Sequence, residues 1–205
     1  MLRGKLSVHR LGDVKFGPDK PRVGTFSTIA DGSFIYLYGN FDHGDRPGNN
    51  IVLARVHKDQ LEHAHHYTYW NGEEYVSNPD EAVPVFEQMQ AGMVFRSKLF
   101  GPSRPFVFVG NNGWVDSKVV IGASASLEGP WETQTVCQAT GVKHKDTIMY
   151  CMYPHLWASK VKEGELMVTW SEQWPGGVVA AKLKLAPVTA LSEKMDPVTA
   201  EHGEL

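Results

Sequence analysis

Three stretches of this chain are apolar at almost every position, and each is followed, across a polar or glycine-bearing connection, by a second such stretch. Phe34 to Gly39 (FIYLYG) leads through Asn40–Asn50 to Ile51–Val56 (IVLARV), and Phe106 to Gly110 (FVFVG) leads through Asn111–Lys118 to Val119–Ser124 (VVIGAS). Leu166 to Ser171 (LMVTWS) leads through Glu172–Gly177 to Val178–Leu183 (VVAAKL). Short apolar runs bounded by turn residues predict strand pairs. Because they do not alternate, they predict strands covered on both faces. The first members begin at 34, 106 and 166, spacings of 72 and 60 residues. That repeat suits elaborated blades of a β-propeller, with these runs as equivalent inner strands and about three blades in an incomplete ring. Weaker strand signals at Gly24–Ala30, His66–Trp70, Glu74–Ser77, Val83–Phe86, Gly92–Phe100 and Trp131–Val136 would complete four-stranded blades. A short helix or a plain loop fits His57–Ala64. Residues 1–186 form one expected domain, and 187–205 a flexible tail of weak apolar periodicity.

Composition narrows the function classes. The chain has 205 residues, 42% hydrophobic and 21% charged, with 20 Gly, 12 Pro, 6 Trp, 7 Tyr and 9 Phe, an inventory of many strands and turns. A net charge of -3 gives no basic footprint for nucleic acid. No stretch reaches the roughly 20 apolar residues of a membrane-spanning helix, and the N-terminal MLRGKLSVHRLGDVKF lacks the apolar centre of a signal peptide. Cys137 and Cys151 are compatible with one bridge or with two buried thiols. No phosphate loop, dinucleotide fingerprint or nucleophile elbow occurs, and no cofactor is called for.

Aromatic and acidic residues outside the apolar runs carry the candidate chemistry. Trp114, Trp170 and Trp174 offer flat faces for sugar rings, whereas Trp70, Trp131 and Trp157 read as staples between blades. Glycoside hydrolysis needs two carboxyls about the bond, and Glu172, Asp116 and Asp42 are the candidates, with Asp45 beside Asp42. Each competes with an ordinary solvated loop carboxylate. The stretch Asp42, His43, Asp45 and Arg46 suits a cation, sugar hydroxyls or a plain turn, and has no recognised metal-ligand spacing. His63, His65 and His66 (HAHH) read as a surface feature. Open blade edges predict self-association.

The segments ADGSFIYLYG, NNIVLARVHKDQLEHAHHYTYWNGEEYV, VVIGASASLEGPWE and YCMYPHLWASKVKEGELMVTWSEQWPGGVVAAKLKL, in that order, resemble the DUF4185 family from about Val23 to Leu185. The resemblance implies a five-bladed propeller similar to glycoside hydrolases, extracellular, acting on or binding a polysaccharide or oligosaccharide, with room for a structural cation on the axis. It implies that His155 faces the central cavity, beside Tyr153 among the substrate contacts. It also implies that acidic residues on preceding blades belong to the machinery. At Gln90–Phe95 (QAGMVF), where the resembled sequences are more polar, Met93 and Val94 argue against substrate contact.

Overall fold

The computed structural model describes residues 20–41, 50–112, 117–138, 149–160, 164–172 and 176–185. These build an all-β molecule of three antiparallel sheets. The first sheet contains β1 (Arg22–Asp31), β2 (Phe34–Asn40), β3 (Ile51–His57), β4 (Thr68–Trp70) and β5 (Tyr75–Val76) in that order, with β6 (Pro84–Phe86) pairing on β3. The second runs β7 (Met89–Arg96), β8 (Phe106–Asn112), β9 (Lys118–Ser124) and β10 (Glu132–Gln138). The third runs β11 (Met149–Pro154), β12 (Glu165–Glu172) and β13 (Gly177–Lys184).

The three apolar pairs are therefore the pairs β2–β3, β8–β9 and β12–β13, each a hairpin-like antiparallel partnership. Their first members, β2, β8 and β12, each pair with an edge strand, β1, β7 or β11. Those edge strands pack on one another, β1 on β7 and β7 on β11. The strand β11 is absent from the sequence expectations because MYCMYP mixes buried and exposed positions without a regular period. The helix considered at His57–Ala64 is instead a 3-10 turn at Lys58–Gln60, followed by a second at Ala64–His66.

Burial follows from stacking. In β8, Phe106 and Phe108 face the first sheet, in a core with Phe26, Tyr38, Ile51, Leu53 and Phe86. The alternate residues Val107 and Val109 face the third sheet, with Phe95, Ile121, Met152, Leu166 and Val168. Covering both faces of the second sheet explains why FVFVG and VVIGAS do not alternate. The outer face of the first sheet is covered by the chain itself, Leu37, Ala54 and Val56 packing with Tyr67, Tyr69 and the half-buried Leu61. The third sheet differs: β12 alternates buried and half-buried residues, and β13 alternates half-buried and exposed ones. LMVTWS is thus covered on one face only, contrary to the two-sided expectation.

Side chains tie one sheet to the next. Ser27 on β1 accepts the Val94 N–H of β7 at 2.9 Å, and the Ser117 hydroxyl accepts the Met149 N–H of β11 at 3.1 Å. The loop after β9 latches back onto the first sheet. There Tyr38 donates to the Leu127 carbonyl at 2.7 Å, Tyr75 donates to Glu128 at 2.6 Å, and Trp131 packs 5.0 Å from Phe86.

Candidate functional site

Each of the edge strands β1, β7 and β11 breaks register with its neighbour. On β1 the pairing jumps from Val23↔Gly39 to Ser27↔Tyr38, leaving Gly24, Thr25 and Phe26 out of the ladder. On β7 it jumps from Met89↔Asn112 to Ala91↔Asn111, leaving Gln90 out. On β11 it jumps from Tyr150↔Ser171 to Tyr153↔Thr169, so Cys151 and Met152 face one residue, Trp170. Such bulges redirect side chains at the point where they occur. Here they converge: a groove of about 380 Å³ is lined by Thr25 and Phe26, by Gln90, Ala91 and Gly92, and by Cys151 and Met152. Asn40, Tyr150 and Tyr153 complete its rim. Local backbone follows the bulges, since Gly24 adopts φ +85° and Cys151 φ +53°, the latter uncommon for a residue with a side chain.

The chemistry of the lining is neutral and polar over an apolar base. Thr25 donates to the Arg22 carbonyl at 2.6 Å and lies 3.3 Å from Asn40 Oδ1. Gln90 Oε1 accepts from Asn111 Nδ2 at 2.8 Å. The Tyr150 phenol is raised above its usual pKa, mainly by its hydrogen bond with Cys151. Among the described residues, no Asp, Glu, Lys, Arg or His lines the groove. Nor do they include a group of three or more His, Cys, Asp and Glu suited to a metal ion.

Of the sequence-predicted residues, Tyr153 is in the groove wall and 51% exposed. His155 lies just beyond, its ring set between the edges of Tyr153 (5.5 Å) and Trp157 (5.9 Å), with Nε2 2.7 Å from Thr169 Oγ1. Trp170 is corrected: at 7% exposure it belongs to the core between the second and third sheets and has no face for a sugar. Trp157 reverses the opposite expectation, standing 88% exposed instead of stapling blades. Glu172 is buried at the end of β12, paired with Gly177 and opposite Met149, and is no solvated loop carboxylate. Asp42, His43, Asp45, Arg46, Trp114, Asp116 and Trp174 lie outside the described residues. The HAHH histidines are exposed, with ring centroids 4.1 to 5.9 Å apart.

Both cysteines are free thiols, Cys151 exposed and Cys137 half-buried, where burial raises its pKa. Neither alternative read from the sequence, a bridge or two buried thiols, holds. Around Gln90–Phe95, Val94 enters the core facing the first sheet and Met93 packs against the core facing the third, yet Gln90 to Gly92 line the groove. Thr25, Gln90 and Cys151 are the residues sequence reasoning missed. Their only advance signal is Gly24, a glycine inside a strand pattern.

The family model for DUF5005, a domain of unknown function, matches residues 14–177. That finding overturns the DUF4185 resemblance. The segments that carried it are largely the strand pairs and turns of the three sheets, features that any protein of this sheet pattern needs. No curated protein matches. Among solved structures, one described as a "putative hydrolase" from Bacteroides ovatus is similar at 16% identity and a TM-score of 0.49, covering 72% of this chain and 38% of that one. The chain thus spans well under half the length of that protein.

Proposed function

Because this chain belongs to the DUF5005 family, whose function is unknown, its role has to be read from its own groove, and we propose that it binds saccharide there, on a propeller-like stack of about three blades. The propeller reading is supported by three sheets stacked in chain order whose first strands meet at one place. The saccharide reading rests on one observation. Three bulges bring Thr25, Gln90 and Cys151 to one groove rimmed by Asn40 and by the phenol rings of Tyr150 and Tyr153. Neutral hydrogen-bonding groups beside aromatic faces suit the polar edges and flat apolar faces of sugar rings. Trp157 extends the aromatic surface past His155.

Recognition fits this lining better than bond cleavage, which needs a pair of carboxyls flanking the sugar. Affinity electrophoresis through gels containing single polysaccharides tests the reading. Retardation in at least one gel, lost in Tyr153→Ala with an unchanged melting curve, is expected; migration unaffected by any polysaccharide would refute it. A parallel assay for new reducing ends separates the two activities. Sugar release abolished by Glu172→Gln would make the protein a hydrolase.

A further inference from the structure

Trp157 stands 88% exposed, yet the 3-10 turn that carries it is firmly fixed. Leu156 beside it packs against the core between the second and third sheets. The His155 N–H donates to the Met167 carbonyl of β12 at 2.8 Å. The Ser159 hydroxyl donates to the His155 carbonyl at 2.6 Å and accepts the Met167 N–H at 2.8 Å. The ring of His155 is steadied in turn by Thr169, whose Oγ1 lies 2.7 Å from Nε2. A large apolar ring on so rigid a mount gains free energy when it is covered and loses little freedom in the process.

Trp157 also does not stand alone. Its ring and that of Tyr153 flank His155 at 5.9 and 5.5 Å between centroids, each in edge-to-face contact. Tyr153, 51% exposed, is at the same time part of the groove wall. The row therefore begins in the groove and ends on open surface. We infer that Tyr153, His155 and Trp157 carry the binding site beyond the groove, so that the ligand is a chain of several sugar units, with the units outside the groove stacked on Trp157. This rests on the saccharide reading above. One sugar ring covers one aromatic ring, and His155 separates the other two, so engaging both Tyr153 and Trp157 takes more than one unit. Trp157 is thus the residue that makes the protein select chain length.

The test titrates the protein by calorimetry with β-glucan, arabinan, mannan and chitin oligosaccharides, each as a disaccharide, a tetrasaccharide and a hexasaccharide. In at least one series the affinity is expected to rise about tenfold or more from disaccharide to hexasaccharide. Trp157→Ala, a change at an exposed position, should melt as the wild type does and abolish most of that rise, while Trp157→Phe, which keeps a ring, should restore part of it. Affinity that does not grow with chain length, or a full rise retained in Trp157→Ala, overturns the inference and leaves the saccharide reading of the groove standing. A full rise retained in Trp157→Ala together with lost self-association on size exclusion overturns it too, and assigns the ring to a second copy of the chain. Binding of no saccharide overturns both readings.

Discussion

Single residues join one sheet to the next, and two tyrosines, Tyr38 and Tyr75, are among them, while Tyr67 and Tyr69 close the outer face of the first sheet. Burial raises the phenol pKa of Tyr38, Tyr67 and Tyr69, the last to about 12, and raises Tyr75 still further together with its hydrogen bond to Glu128. In the unfolded chain a tyrosine ionises near pH 10. Above that pH the unfolded state releases protons that the folded state retains, so stability falls as pH rises from about 10 toward the folded values and is indifferent to these groups below it. Thermal melts between pH 8 and 12 should show a flat plateau followed by a decline, with tyrosinate absorbance appearing together with unfolding. Tyr38→Phe leaves the Leu127 carbonyl without its donor and should cost about 1–3 kcal/mol in urea denaturation. At this scale the sequence reading missed the parity of one strand. LMVTWS reads as covered on both faces, whereas β12 alternates and puts Leu166, Val168, Trp170 and Glu172 on its buried face. Trp157 follows no such parity, because it sits in a 3-10 turn at Leu156–Ala158.

Among the elements, the six strands of the apolar pairs were readable nearly to their ends, since a buried hydrophobic run bounded by turns has few other conformations open to it. The bulges were not. One extra residue in a strand changes neither composition nor hydrophobicity, and only the partner strand reveals it. The candidate groove was illegible for that reason, and of its lining residues Tyr153 was reached by resemblance alone. Glycine does register the close approach behind it: Gly92 and Gly110 face each other across β7 and β8, and a Cβ on Gly110 would run into the Ala91 carbonyl and the Phe108 ring. Gly110→Ala should therefore destabilise by about 1–3 kcal/mol and weaken any ligand binding in the groove. Equilibrium unfolding checks the first effect, and titration with whichever sugar the wild type retains checks the second.

At the scale of the whole molecule, the stack is unequal at its two ends. The first sheet is covered by its own turns, whereas the exposed large hydrophobic residues among those described, Tyr150, Tyr153, Trp157 and Val178, all belong to the third sheet or the turn beside it. Register places Tyr150, Ser171 and Val178 in one row, and Tyr153, Thr169 and Ala180 in the next. An apolar face of that kind favours association. With one such face among the described residues, pairing uses it up on both partners and closes at two. Light scattering coupled to size exclusion should show a concentration-dependent dimer, reduced to monomer by Val178→Lys; a ladder of larger species would contradict this. The internal repeat made the number of sheets readable in advance, but the repeat treats its units alike and so hides which of them is uncovered. Among the described residues the third sheet is the uncovered one, which gives the stack a polarity of construction. Like a growing polymer, that stack has a sealed end and a receptive one, and a designer wishing to append another layer would begin at the receptive end.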